Sequence, residues 1–265
     1  MNDIKLQKNP INKCLIQVNF SAIMIIEKSI PEIQDAYRKN GFPNFKEIEV
    51  SNYDLTPQNN IPTISKSKKW LFYTADEKDL IILDNTQISY QVSTYKTFLE
   101  FQKSFKIILD KFSKIVDFTN ETVINRIGLR YVNSFEGLDK FKKYLKNEYQ
   151  GISLSEDMKT VNTPLINTSL RCPIKINEKN FSNLSLRVYQ NNNGIEVPLN
   201  IYSLQEVKQK EDTLISFLDI DQGLNFKDFL LTNLEDIYKF TKQLNEISTK
   251  LFWGAITEDA KRDWK

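Results

Sequence analysis

The stretch "INRIGLRYVN", Ile124 to Asn133, holds two arginines on either side of a glycine inside a run that alternates like a β-strand. The chain has six arginines, Arg38, Arg126, Arg130, Arg171, Arg187 and Arg262, among 36 basic residues, so lysine supplies its general surface charge. Four of the six fall in the second half within segments that read as strands. A planar, multi-donor guanidinium in such a place is suited to clamping a carboxylate or phosphate. Alternation puts Ile127, Leu129 and Tyr131 on one face of the strand and Arg126, Gly128, Arg130 and Val132 on the other. The two arginine stems then stand about 13 Å apart, at roughly 3.3 Å per residue, with Gly128 as an open notch between them.

Two chemistries compete for these groups. Asp219 and Asp221, in "LISFLDIDQG", share a strand face with Ile215 and Phe217, and a bidentate arginine–carboxylate network can form if they meet Arg126 and Arg130 in one layer. Alternatively Arg126 and Arg130, with Arg187 and Arg171 from neighbouring strands, clamp an outside anion that reaches the backbone at Gly128. The aspartate pair is also a weak candidate for Mg²⁺, although two carboxylates are few for a metal-dependent nuclease, and salt-bridging ranks ahead of it.

The composition removes whole classes of activity. There is no histidine, so no Ser-His or Cys-His nucleophile pair, no ordinary zinc or non-haem iron site and no imidazole proton shuttle. No G-x-x-x-x-G-K-[ST], G-x-G-x-x-G or nucleophile-elbow pattern occurs, and seven glycines leave no glycine-rich phosphate loop. No cofactor is implied, and a non-enzyme is the first reading. The 36 basic and 34 acidic residues nearly cancel, which argues against nucleic acid as the main partner. The local exceptions are "SKSKKW", where Lys66, Lys68 and Lys69 precede Trp70, and the basic runs at Asp139–Lys146 and Glu206–Asp212. Cys14 and Cys172 lack metal-ligand spacing and read as free thiols of a reducing compartment. A polar N-terminus and a longest apolar run of only "AIMII" predict a cytoplasmic protein without a membrane span.

The elements that must position the arginines follow from periodicity. Strands are expected at Cys14–Ile23, Phe45–Tyr53, Lys69–Thr74, Leu80–Leu83 and Gln87–Val92, with a short helix over Pro31–Asn40 that Ser29 caps and Gly41 ends. "TPQNNIPTISKSK" reads as a loop. Phe98, Phe101, Phe105, Ile108, Leu109, Phe112, Ile115 and Val116 make one apolar stripe on a long helix over Tyr95–Phe118. The arginine strand, a short helix in "GLDKFKKYLKN", strands at Leu165–Ile176, Leu184–Gln190, Ile195–Tyr202 and Thr213–Asp221, and a second long helix over Leu234–Trp253 come next, with the Asn-Gly of "QNNNGIE" as a hairpin turn. Each half, 1–120 and 121–265, thus reads β-α-β-β-β-β-α. The expected fold is α+β, a pseudo-duplication of two antiparallel sheets, each covered by its long helix, forming one compact unit with a shared interface and ligand-binding grooves at the junction.

"RIGLRYVN", the "LDID" strand and the C-terminal "LFWGAIT" resemble an uncharacterised, sporadically distributed bacterial protein family with an R-I-G-L-R-Y-x-N core, over nearly the whole length from the first strand to Thr257. The resemblance implies a bacterial cytosolic protein with a shared site around Arg126, Gly128, Arg130, Tyr131 and Asn133. Patchy distribution is typical of accessory genes, including defence and toxin–antitoxin operons. Three functions stand open: a binding or adaptor protein of such a system that recognises a protein partner, a sensor of a small anionic metabolite or nucleotide through Arg126 and Arg130 with Arg187, and a Mg²⁺-dependent carboxylate enzyme. The tail "TEDAKRDWK" offers either a frayed end or an exposed peptide with Trp264 as a partner anchor.

Overall fold

Alternation along β1 (Ile11–Phe20) buries Cys14, Ile16, Val18 and Phe20 and leaves Leu15, Gln17 and Asn19 on the opposite face. Among the described residues β1 belongs to a single antiparallel sheet of nine strands. The computed structural model describes residues 8–54, 63–119, 122–151, 166–176, 181–192, 194–195, 201–204 and 213–264. The other strands are β2 (Asn44–Asp54), β3 (Thr63–Tyr73), β4 (Asp79–Leu83), β5 (Gln87–Val92), β6 (Val123–Glu136), β7 (Asn167–Lys175), β8 (Phe181–Asn191) and β9 (Ile215–Leu230). Their order is β2-β3-β4-β5-β1-β6-β9-β8-β7, so the arginine strand β6 lies near the centre, between β1 and β9. The fold is α+β.

The three longest helices, α1 (Ile25–Arg38), α2 (Phe98–Val116) and α4 (Leu234–Ala255), bury their apolar stripes against one face of the sheet. Thr97 starts α2 by accepting a hydrogen bond from the Glu100 backbone N–H at 3.2 Å, and Asp117 ends it in the left-handed region at φ 49°. One continuous core runs from Phe72 on β3 through Phe105 and Phe112 on α2 to Ile127 and Leu129 on β6 and Leu244 on α4, so it crosses residue 121. A smaller cluster packs α3 (Leu138–Tyr144) and α5 (Glu258–Trp264) on β8 and β9.

Several expected boundaries change. The first helix starts at Ile25, not Pro31, because Ile26, Ile30, Ile33 and Tyr37 form one buried stripe whose packing outweighs the backbone hydrogen bond that Pro31 cannot donate. Ser29 lies inside it, its hydroxyl on the Ile25 carbonyl, and is no cap. β3 begins at Thr63, inside the expected loop, and residues 55–62 lie outside the described residues. β9 runs to Leu230, nine residues beyond the expected end. Of the expected Ile195–Tyr202 strand, residues 195, 201 and 202 are not in a strand and 196–200 lie outside the described residues. Glu206–Asp212 lies outside them too. Trp264 is 5% exposed, stacked near Phe135 and Phe252 with Tyr144 at its edge, so the tail is a packed helix and not a free anchor. No helix among the described residues is long and apolar enough to cross a membrane.

Candidate functional site

The sheet face away from the long helices carries the arginines. On β6, Ile127, Leu129 and Tyr131 enter the helix-side core, while Val132 packs with Ile215 and Phe217 of β9 on the other side. A register irregularity between Ile124 and Arg126 lets both Ile124 and Ile127 reach the core, three residues apart, and keeps Arg126, Gly128 and Arg130 together on the open face. β9 pairs with β6 so that Gly223 lies opposite Gly128 and Asp221 opposite Arg130.

The arginines do not play equal parts. Arg130 donates from Nε to Asp219 Oδ1 at 2.8 Å and from Nη2 to Oδ2 at 2.7 Å, a bidentate pair in which Arg130 is 7% exposed and Asp219 0%. Arg187, across from Asp219 on β8, adds a second guanidinium at 2.7 Å from Oδ2. Burial works against the Arg130 charge, and the Asp219 bonds together with the charges of Asp219 and Asp221 more than offset it, holding its pKa above the ordinary arginine value. Tyr189 stacks on Phe217 beside this group, its hydroxyl buried without a hydrogen-bond partner among the described residues; burial and then the Asp219 charge push its pKa up.

Arg126 is different. It is partly exposed, and among the described residues its polar contact is a 3.5 Å approach of Nη2 to Asp221 Oδ1. Its guanidinium lies over the Gly128–Gly223 pair. A methyl group at Gly223 would stand 2.6 Å from Nε, 2.7 Å from Nη2 and 2.8 Å from Cζ, and one at Gly128 would collide with Nη1. Near-equal distances to three guanidinium atoms mean that the group lies with its plane over the two glycines and not edge-on. Glycine weakens a strand interior, so two glycines paired in the middle of the sheet call for such a close approach.

A cavity of about 600 Å³ opens above them. It draws lining residues from seven strands, including Ile48 and Lys69 at one end and Arg126 and Asp221 at the other. Gln17, Gln87, Ser89 and Gln91 supply polar groups, Leu15, Leu71 and Ile82 apolar ones, and Ile201–Ser203 covers one side through a 3.0 Å bond from Gln91 Nε2 to the Tyr202 carbonyl. A second cavity of about 390 Å³ is lined by Arg171, Asn183 and Ser185 and shares Arg126 and Asp221 with the first.

Of the expected site residues, Arg126, Gly128 and Arg130 come together at the first cavity, and Arg187 joins them only through Asp219. Tyr131 and Asn133 do not. Tyr131 faces the helices and donates its hydroxyl to Asn245 Oδ1 at 2.8 Å, and Asn133, 1% exposed, donates to the Leu218 carbonyl at 3.0 Å. Asp219 has both oxygens on guanidinium groups and is no metal ligand, and no group of three His, Cys, Asp or Glu among the described residues is placed to hold a metal. The Lys66–Trp70 segment is not a stacking platform: Trp70 is buried with its indole N–H on Glu47, and Lys66 and Lys68 pair with Glu49 and Glu27. The amides of Gln17 and Gln91 are not among the expected site residues; polar residues alternating with a buried apolar set in β1 are the signal that finds Gln17, whereas β5, buried along nearly its whole length, carries no such alternation to mark Gln91. No family model, curated protein or solved structure matches the chain.

Proposed function

We propose that this chain is a non-catalytic binding protein for a small anionic metabolite, held in the open-face cavity by Arg126. The observation that carries the reading is the Arg126 guanidinium, laid over the Gly128–Gly223 pair with, among the described residues, a single loose approach to Asp221, while the Asp219 carboxylate engages Arg130 and Arg187. A cavity of about 600 Å³ is of the size that binds small molecules, commonly about 300–1,000 Å³. The absence of histidine from the chain favours binding over catalysis. The test is thermal denaturation against a panel of phosphate- and carboxylate-bearing metabolites. At least one raises the melting temperature of the wild type and leaves Arg126→Gln unmoved. A panel without effect, or with an equal effect on Arg126→Gln, overturns the reading.

A second reading, an adaptor that engages a protein partner, is favoured by the outer strand β7. Along it Asn167, Ser169, Leu170, Arg171, Pro173 and Lys175 are exposed, and Leu170 (54%) and Phe181 (52%) are large apolar groups left in solvent. Among the described residues no strand pairs with the outer edge of β7, and an unpaired strand edge is a place where another chain adds a strand. Native mass spectrometry of the protein taken from its host would show a stoichiometric protein partner that Leu170→Asp with Phe181→Asp releases; a partner-free protein sinks this reading.

A further inference from the structure

We infer that the two cavities form one site for a nucleoside phosphate, with the nucleoside in the first and the phosphate in the second. The inference rests on the small-anion reading of Arg126 and adds the chemistry on either side of it. Because Arg126 and Asp221 line both cavities, the two meet at this pair. Beyond it, register aligns Asp221 on β9 with Ser185 on β8 and Arg171 on β7. Arg171 therefore stands about 10 Å from Asp221 at the backbone, two strand spacings away, a gap that two extended arginine side chains can close. Ser185 and Asn183 lie between them along β8. A phosphate above Ser185 meets a guanidinium from each side and hydroxyl and amide donors below, the arrangement that suits its three outer oxygens.

Asp221 narrows the choice. Ionised, it only accepts hydrogen bonds, so at the junction of the cavities it repels a second anion and matches a ligand hydroxyl. A sugar hydroxyl next to the phosphate supplies that group.

The first cavity fits a ring that is apolar on its faces and polar at its edge. Leu15, Leu71 and Ile82 supply apolar surface. Gln17 Nε2 is taken up by Gln87 Oε1 at 2.6 Å, which leaves the Gln17 carbonyl as acceptor and the Gln87 amide as donor on one residue pair. An acceptor next to a donor complements the amide-like edge of a nucleobase. From β1 to β8 is three strand spacings, about 14 Å, comparable with an extended nucleotide and a hydrogen bond at each end.

Calorimetric titration of the full chain with the four common ribonucleoside 5′-monophosphates, their nucleosides and inorganic phosphate tests this. At least one nucleotide binds about tenfold or more tighter than its nucleoside and than phosphate, the scale of a charge-assisted hydrogen bond. Arg171→Gln removes that advantage, leaves nucleoside binding unchanged and, because Arg171 is exposed on an edge strand, keeps the wild-type melting temperature. Nucleotide affinity unmoved by Arg171→Gln, or phosphate alone binding as tightly, overturns the two-cavity site. If other small anions bind through Arg126 and nucleotides do not, this inference falls and the small-anion reading stands; if Arg126→Gln alters no binding, both fall.

Discussion

Gly128 stands directly opposite Gly223 where β6 pairs with β9, and the guanidinium of Arg126 occupies the space two side chains would otherwise fill. Either glycine alone would be a local weakness in a central strand. As a pair they form a floor on which a charged plane lies close to the backbone while its upper side faces the cavity.

The floor can be removed one methyl at a time. In Gly128→Ala and Gly223→Ala the three atoms nearest the new carbon all belong to the far end of the flexible Arg126 side chain, so the fold survives and Arg126 moves. Replacing glycine in a strand returns about 0.5–1 kcal/mol of conformational entropy, which offsets the displaced contact. Urea denaturation is therefore expected to stay within about 1 kcal/mol of wild type, while ligand-induced thermal stabilisation is lost. A variant that retains full stabilisation would show that the position of Arg126 does not matter.

Asp219 holds a different kind of charge. Its carboxylate is fully buried between Arg130 and Arg187, so Asp219→Asn leaves the Arg130 guanidinium buried and without its counter-charge. Breaking a buried pair from one side costs about 3–5 kcal/mol, and denaturant titration should show a loss of that order. Arg130→Lys should also destabilise, because a single ammonium cannot reproduce the two parallel bonds to Oδ1 and Oδ2. Wild-type stability in both variants would mean that the network contributes little to the fold.

Much of this was legible from the period of two. Alternation in "INRIGLRYVN" puts Arg126, Gly128, Arg130 and Val132 on one face, where they are, and the same rule puts Asp219 and Asp221 with Ile215 and Phe217. It also puts Tyr131 and Asn133 on the helix face, and only the family resemblance made site residues of them. What alternation cannot supply is register. That Gly128 meets Gly223, and that Arg130 reaches diagonally to Asp219 while Arg126 has only a loose contact with Asp221, depends on how β6 slides against β9, a non-local choice set by both strands and the irregularity near Ile124. The polar core positions were hidden for a related reason. Thr241 and Ser248 of α4 are buried because Gln102 and Gln222 reach them from elsewhere in the chain, and no local pattern marks such pairs. Local propensity starts α1 at Pro31, whereas the buried stripe of Ile26, Ile30, Ile33 and Tyr37 starts it at Ile25.

Trp264 closes the C-terminal cluster. It is 5% exposed against Phe135, Tyr144 and Phe252, and α5 is further tied by Lys143 to Asp263 at 2.6 Å. Truncating a buried tryptophan costs about 3–5 kcal/mol. Trp264→Ala should lower stability by that order and raise hydrogen exchange in α3 and α5, and unchanged exchange there would show that the two helices are held independently of the ring.

Lys13 gives the chain a specific alkaline signature. Its side chain lies on β1 with Nζ on Ser93 Oγ at 2.5 Å and is 7% exposed. Burial lowers its pKa from 10.5, only partly offset by the charge of Asp79. Between the lowered folded value and 10.5 the unfolded chain binds more protons than the folded one, so this residue makes stability rise with pH across that window and fall as pH drops through it. The buried Tyr37 and Tyr90, whose values burial raises, act in the opposite direction at high pH, so the wild type alone does not isolate the effect. The difference from Lys13→Met does. That variant keeps the side-chain length without the charge and should be more stable than wild type at pH 7, with the advantage shrinking as pH approaches 10.5. Urea denaturation of both proteins from pH 7 to 10.5 reads the trend, and a pH-independent difference would show that Lys13 titrates normally in the folded chain.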